Sequence, residues 1–381
     1  MRPVWDVVWL SDIPWASLWQ RPQQLATRFP EDVRILFVEP LTLGHTPAFR
    51  PSPVAPHVAR VSFPFLPLHA KSPGIRRTAY ALGGSGLATR ALETLQRTWA
   101  GTLRGFARPG ARRLALVQNF LGRPSLRSWR PDRVVYDMID APLHFAPVPP
   151  RLVPQWEALL READRVCVTS EPLATLARAG GARAPRLIGN GVEAARFEQA
   201  APAPLPGDPS SPVLGYVGSI HSWFDLGLVR GLAAALPQAR VVLVGPAPPA
   251  LQPELREAVR AAPNLLWLGA RPYADIPGLV RSFRVGLIPF RRTPLTEAVN
   301  PVKLYEYAAA GVPCVTTRFT GAVDGWRDVA RVADTPDEFV DEARALLTAT
   351  PDSARLHAFA RRHDWGVIAG EFAEFCLEEG P

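Results

Sequence analysis

No apolar run in this 381-residue chain approaches the roughly 18 residues that a membrane-spanning helix needs; stretches such as Val241–Val244 and Leu114–Val117 fall far short. Cysteine is scarce as well. Cys167, Cys314 and Cys376 are odd in number, far apart and without metal-ligand spacing, which argues against a disulfide-built fold and for a reducing, cytoplasmic compartment. None of the seven histidines pairs with another at helical ligand spacing, so no protein-built metal site is expected. A repeat of solenoid length is missing, and so is any nucleic-acid recognition motif; no nucleic-acid partner is expected. The N-terminus, Met1-Arg2-Pro3-Val4-Trp5-Asp6, interrupts its apolar residues with charge almost at once and reads as a first strand, not a signal peptide. Lysine is nearly absent: Lys71 and Lys303 are lysines, and the other 41 of the 43 basic residues are arginines.

What is present is a globular composition, 47% hydrophobic against 20% charged, with 42 prolines scattered through turns rather than gathered in one tract. At this length two domains are the natural division. Short apolar strands alternate with helical segments in two series. The first holds strands at Val4–Trp9, Arg34–Val38, Arg113–Val117, Arg133–Asp137, Arg165–Thr169 and Pro185–Ile188, with a helix over Trp19–Arg28. An Asn190-Gly191-Val192 turn closes it. The second holds strands at Val213–Val217, Arg240–Val244, Leu265–Leu268, Val285–Ile288 and Val312–Thr316, with helices near 225–236, 251–261, 275–283 and 301–310. A helical tail follows over Asp337–Thr348 and Ser353–Glu379, with a break at His363-Asp364-Trp365. The pattern predicts an α/β protein of two Rossmann-like, doubly wound parallel-sheet domains with an interdomain cleft. The first domain spans 1–197, a linker 198–212 and the second domain 213–360, and a helix at 361–381 packs back on the first. Ligands of such sheets sit beyond the C-terminal ends of the strands.

Charge is uneven. Residues 71–113 carry nine bases (Lys71, Arg76, Arg77, Arg90, Arg97, Arg104, Arg108, Arg112 and Arg113) against one acid, Glu93, which equals the whole excess of +8. Leu92, Leu95, Trp99, Leu103 and Phe106 fall on one helical face, with Arg90, Arg97, Arg104 and Arg108 opposite. One reading is a core helix with a solvated arginine face. The other is peripheral contact with an anionic membrane, or reception of a polyanionic acceptor.

Asn300-Pro301-Val302-Lys303-Leu304-Tyr305-Glu306-Tyr307 is the most informative stretch. Asn300 reads as the N-cap and Pro301 as the first helical residue. Free amides of the first turn, including that of Val302, the positive end of the helix dipole and Lys303 then converge on one point, which suits a phosphate. Glu306, three residues on and on the same face, can accept hydrogen bonds from a ribose diol. A phosphate beside a diol is the outline of a nucleotide.

The Asn300–Gly311 block, together with Asn190-Gly191-Val192, Gly215-Tyr216-Val217-Gly218, Val244-Gly245-Pro246 and Leu268-Gly269, resembles the retaining, nucleotide-sugar-dependent glycosyltransferases of the two-domain GT-B type, the large group like glycosyltransferase family 4. Trp19-Gln20-Arg21-Pro22, Phe37-Val38-Glu39-Pro40 and Val134-Val135-Tyr136-Asp137 with Asp140 resemble its bacterial surface-polysaccharide branch. The resemblance implies a metal-independent hexosyltransferase that moves sugar from a UDP-, GDP- or dTDP-sugar to a glycan or lipid-linked acceptor, with retention. The group's Glu-x7-Glu pair places its second member at Glu306; the first position is Ala298, with Glu297 and Asn300 as substitutes. The loop after the first strand of the second domain, Gly218 to Asp225, holds no cation except His221, so the diphosphate depends on Lys303, helix amides and Arg291 or Arg292.

The nucleotide-sugar candidates are Gly218, Ser219, His221, Gly269, Arg271, Tyr273, Glu297, Asn300, Pro301, Val302, Lys303, Leu304 and Glu306. Lys303, Glu306, Asp137 and Asp140 are the catalytic candidates, the two aspartates as orienters of an acceptor hydroxyl or as caps of their own turns. Trp15, Trp19 and Arg21 are placed on the acceptor side, with a core role for Trp19 beside Leu25 as the alternative. Two competing functions stay open: a non-hydrolysing nucleotide-sugar epimerase and a nucleotide-binding protein of this fold without catalysis.

Overall fold

A computed structural model describes residues 3–17, 19–41, 46–66, 73–145 and 147–378. Lys71, counted in the basic segment, lies outside them. The chain divides into two compact units, Met1–Gly189 with Ile368–Pro381, and Asn190–Val367.

The first unit is built on an eight-stranded sheet. Its strands are β1 (Trp5–Leu10), β2 (Arg34–Pro40), β3 (Ser52–Ala55), β4 (Val58–Phe63), β5 (Arg112–Val117), β6 (Arg133–Met138), β7 (Arg165–Val168) and β8 (Arg186–Leu187), in the order β3-β4-β2-β1-β5-β6-β7-β8. Every pairing is parallel except β3 with β4. Strand β1 is buried along its whole length, as a central parallel strand covered on both faces should be. Trp9 faces Phe37 across one register and Leu116 across the other. The hairpin β3–β4 was not expected from the sequence. Ser52-Pro53-Val54-Ala55 is a short, proline-bearing edge, where the absent N–H is tolerated.

The second unit carries six parallel strands: β9 (Val213–Val217), β10 (Arg240–Val244), β11 (Leu265–Trp267), β12 (Val285–Ile288), β13 (Cys314–Thr317) and β14 (Ala330–Ala333), ordered β11-β10-β9-β12-β13-β14. The order reverses beside β9, at the switch point where such sheets bind ligands. Close packing on the sheet needs two small residues: a methyl at Gly215 would sit 2.2 Å from the Phe283 ring, and one at Gly286 2.5 Å from the ring of Tyr307 on the helix Val302–Ala309. The Tyr307 hydroxyl donates to the Leu287 carbonyl at 3.1 Å and accepts from the Val217 amide at 3.2 Å, which ties the helix to β12 and β9.

The domain limits differ from the sequence expectation. Val192, Ala194 and Phe197 are buried in the core of the second unit, and Asn190 donates through Nδ2 to the Asn300 carbonyl at 2.8 Å. The expected linker 198–212 lies on that same unit. Its carbonyls are taken up by arginines: Ala200 by Arg281, and Leu205, Pro206 and Ser211 by Arg240. The tail breaks after Arg362 as expected, and helix Trp365–Leu377 begins with Trp365 and Val367 in the second unit while Ile368 onward belongs to the first. The three cysteines are free and buried.

Candidate functional site

Pro301, not Asn300, is the N-cap of the helix Val302–Ala309: its ψ of 117° is extended, and no side chain caps the first turn. Asn300 is occupied elsewhere, its Oδ1 accepting from the Asn190 amide and the Tyr305 hydroxyl, each at 3.1 Å. The shift by one residue leaves the Val302 and Lys303 amides at the helix mouth. The Leu304 amide is already bonded to the Pro301 carbonyl at 3.1 Å, and the Leu304 side chain is core.

Lys303 is half-buried, its Nζ 4.7 Å from the centroid of Phe290 and 5.4 Å from that of Tyr216. It forms no ion pair among the described residues. Burial lowers its pKa to about 8, against a smaller opposing pull from Glu306. Burial likewise raises Glu306 to about 7, with Lys303 opposing, and Glu306 is 8% exposed. A half-buried ammonium and a buried carboxylate with no direct ion-pair partner among the described residues are destabilising alone and favour a ligand that supplies the missing charge.

Backbone closes in on Lys303. Gly218 ends β9 at φ +133° and Gly245 ends β10 at φ +145°, both in the region that favours glycine. A methyl at Gly218 would lie 3.2 Å from Cε of Lys303, and a methyl at Gly245 only 1.9 Å from the Gly218 carbonyl oxygen. The Gly218 amide donates to Val244, and the Gly245 amide to Gly269, at 2.9 and 2.8 Å. The ends of β9, β10 and β11 are thus laced together beside Lys303. Ser219 belongs to this rim, its carbonyl accepting from the Tyr216 hydroxyl at 2.8 Å. Tyr273 shares the field of Glu306: its phenol is pushed well up by burial first, then by Glu306 and Glu193. Arg196 stacks over its ring at 4.7 Å.

Other expected donor-site residues are directed elsewhere. His221 is exposed, stacked on Trp223 at 4.6 Å with its Nδ1 3.1 Å from the Ser222 hydroxyl. Arg271 is exposed and lines a cavity of about 570 Å³ with Arg196, Leu268 and Asp275. Glu297 pairs with Arg292 at 2.6 Å, and Arg291 approaches Asp225 at 3.9 Å.

In the first unit the structure corrects the reading of Asp137 and Arg21. Both are buried, at 0% and 2% exposure, and joined by two hydrogen bonds of 3.1 and 3.0 Å. Gln118 donates to the same carboxylate at 2.9 Å and accepts from Trp9 Nε1 at 2.9 Å, while Arg21 also holds the Gly189 carbonyl at 2.6 Å. A carboxylate so enclosed organises the interior and has no surface left for an acceptor. Asp140 is different: it is partly exposed, with its pKa raised to about 6 by burial. Asp12, which sequence reasoning missed, lies within its field. The protein around the Asp12 carboxyl, then Asp140 and Asp137, push it up to about 7. Trp15 and Trp19 pack edge to face at 5.6 Å, and both are half-buried. The rings of Tyr216 and Phe290 and the turn at Gly245 were not among the expected site residues, although Tyr216 and Gly245 stand in the motifs that carry the resemblance. The recurrence of glycine after successive strands also signalled the turn at Gly245.

Among the described residues no group of three metal-ligating side chains occurs, and no helix is long and apolar enough to cross a membrane. Residues 211–349 match the family described as glycosyl transferases group 1. A Bacillus subtilis (strain 168) protein, named for teichuronic acid biosynthesis as glycosyltransferase TuaH, is 26% identical over 295 residues, covering 69% of this chain and 72% of that protein. The structure of Anabaena HepE in complex with UDP aligns with a TM-score of 0.66 at 17% identity, over 98% of this chain and 99% of that one. Sucrose-phosphate synthase from Thermosynechococcus elongatus aligns at 0.67 and 15% identity, over 98% and 95%. The fold is that of GT-B glycosyltransferases, and the matched segment contains the Lys303–Glu306 helix and the ends of β9 to β11.

Proposed function

We propose that this protein is a glycosyltransferase that takes a sugar from a nucleoside-diphosphate donor held on the second unit and transfers it, with retention and without a metal, to a glycan or lipid-linked acceptor of a cell-surface polysaccharide. The observation that carries the reading is the placement of Lys303 and Glu306 one turn apart on an uncapped helix, beside the glycine-lined ends of β9 and β10. The group 1 family match and the UDP held by HepE support it, and the name given to TuaH supports the polysaccharide class.

The chemistry follows from the charges. The bond from the sugar's anomeric carbon to the diphosphate oxygen breaks, and negative charge grows on that oxygen. The Val302 and Lys303 amides, the helix dipole and the Lys303 ammonium all meet it. Such preorganised donors contribute roughly 3 kcal/mol each when removed singly. Glu306 accepts from the ribose hydroxyls and fixes the nucleotide. On the retaining route the acceptor oxygen attacks from the side the diphosphate leaves, and the departing phosphate oxygen receives the acceptor's proton, so no separate base is needed. A UDP-, GDP- or dTDP-sugar fits this outline equally. Calorimetric titration with the three diphosphates, followed by product analysis with and without a glycan acceptor, tests it. Binding of one diphosphate with acceptor-dependent sugar transfer is expected. Conversion of the donor without acceptor would overturn the transferase reading, and binding of none would overturn the site.

A further inference from the structure

We propose that the helix pair Pro73–Gly84 and Gly86–Thr102 of the first unit docks this protein on the surface of an anionic lipid bilayer, a claim independent of the glycosyltransferase reading. Its first support is the distribution of acids. Between Glu39 and Asp132 the chain holds a single acid, Glu93, against fourteen bases. That acid is turned inward, bonded to Arg97 at 3.2 Å and to Gln155 at 3.0 Å.

Packing fixes which side of the pair faces out. Ala79 and Gly83 of the first helix and Thr89, Gln96 and Ala100 of the second are buried. A methyl at Gly83 would sit 2.9 Å from Leu152 and Pro149, and Gln96 holds the Pro64 carbonyl at 3.0 Å. The outward side carries an apolar row among arginines and threonines. Leu87 is 82% and Leu95 50% exposed, with Ala91 between them at helical spacing. Leu95 was expected on the core face; the helix seats Gln96 there instead. Phe49 stacks on Trp99 at 6.1 Å and extends the ridge, and Tyr80 and Leu82 project from the preceding helix. Of the nine large hydrophobics exposed among the described residues, six fall in this acid-poor stretch: Leu41, Phe49, Tyr80, Leu82, Leu87 and Leu95. Arg76, Arg77 and Arg90 are exposed beside them.

Single exposed leucines need no explanation. A row of them among arginines, bordered by the Phe49–Trp99 stack, has the composition of an interfacial helix: apolar side chains enter the acyl boundary while guanidinium groups meet lipid phosphates. The charge selects the occupant. A second copy would set arginine against arginine. A nucleic acid would leave the leucines without a partner.

The experiment is flotation of the full chain with vesicles of phosphatidylglycerol and phosphatidylcholine, against vesicles of phosphatidylcholine alone. The protein should float with the anionic vesicles only. Arg77→Gln combined with Arg90→Gln should weaken binding on the order of 20-fold, and Leu87→Asp combined with Leu95→Asp should abolish it while the circular dichroism spectrum and melting temperature stay unchanged. Failure of the wild type to float overturns the proposal, as does equal flotation on the neutral vesicles. Unchanged flotation of the arginine pair overturns it whether or not the leucine pair folds. A wild-type dimer that Leu87→Asp/Leu95→Asp dissociates, without any vesicle binding, overturns it in favour of self-association.

Discussion

In the first unit Arg21 and Asp137 meet through two hydrogen bonds with almost no surface left to solvent. In the second, Lys303 and Glu306 stand three residues apart on one helix, feel each other's charge, and form no ion pair among the described residues. Asp137 stands near the C-terminal end of β6, and Lys303 packs beside Gly218, just after β9. The first is closed, each partner neutralising the other inside a network that includes Gln118, Trp9 and the Gly189 carbonyl. The second is open, its charges raised in energy by burial and left for something else to complete. A buried ion pair is weak evidence of net stabilisation, although removing one member is costly. A buried charge without a partner is the better pointer to a ligand.

Substitutions can break that contrast. Asp137→Ala should have the largest effect, lowering unfolding free energy by about 3–5 kcal/mol in urea titration, because it strands Arg21 in the interior. A loss under about 1 kcal/mol would mean that the couple is solvated and the contrast false. Lys303→Ala should act the other way, reducing sugar transfer at least ~100-fold while stability measured by the same titration stays within about 1 kcal/mol. Near-normal turnover would remove Lys303 from the site.

The pH dependence sharpens the comparison. Burial places the Lys303 pKa near 8, below its ordinary value, so the folded protein loses this charge as pH rises through that value while the unfolded chain still holds it. Diphosphate affinity should fall about tenfold between pH 7 and pH 9, and Lys303→Arg should flatten the profile. A flat profile in the wild type would place the diphosphate elsewhere. Glu306→Gln should show the smallest effect, a roughly five- to tenfold loss of nucleotide affinity by calorimetry. The ligand-free melting temperature should not drop. The folded pKa of Glu306 is raised, so stability falls as pH rises from its unfolded value of 4.5 to about 7 and stays reduced above that, a cost that glutamine removes. A lower melting temperature with unchanged affinity would make Glu306 a structural residue.

The strands most legible in the sequence were those buried on both faces. Arg240–Val244 and Val285–Ile288 were read with their observed limits because a continuous apolar run is what a central parallel strand requires. Strands β3, β4 and β14 were missed. Ser52-Pro53-Val54-Ala55 and Ala330-Arg331-Val332-Ala333 are short edges with mixed character, and an edge borrows its conformation from the neighbour it pairs with. The helix Val302–Ala309 was legible because its signals are local: proline, lysine and glutamate within one turn and a half. Its cap was misplaced by one residue, since Asn300 is drawn to Asn190 and Tyr305 rather than to the helix amides. The fate of Asp137 could not be read, because its partner lies 116 residues away and only the parallel register of β1, β5 and β6 brings them together. Likewise, the Ala/Pro tract at 198–212 has the composition of a linker, and only the distant Arg240 and Arg281 reveal it as surface of the second unit.

The near-absence of lysine has a practical consequence. This chain carries two side-chain amines, and one of them is Lys303. A neutral amine is the nucleophile toward acylating reagents, and a depressed pKa makes Lys303 reactive at a mildly alkaline pH where an ordinary lysine is still largely protonated. Labelling followed by peptide mass mapping therefore reads occupancy of a single position, and shielding by an added diphosphate can be scored before any acceptor for the reaction has been found.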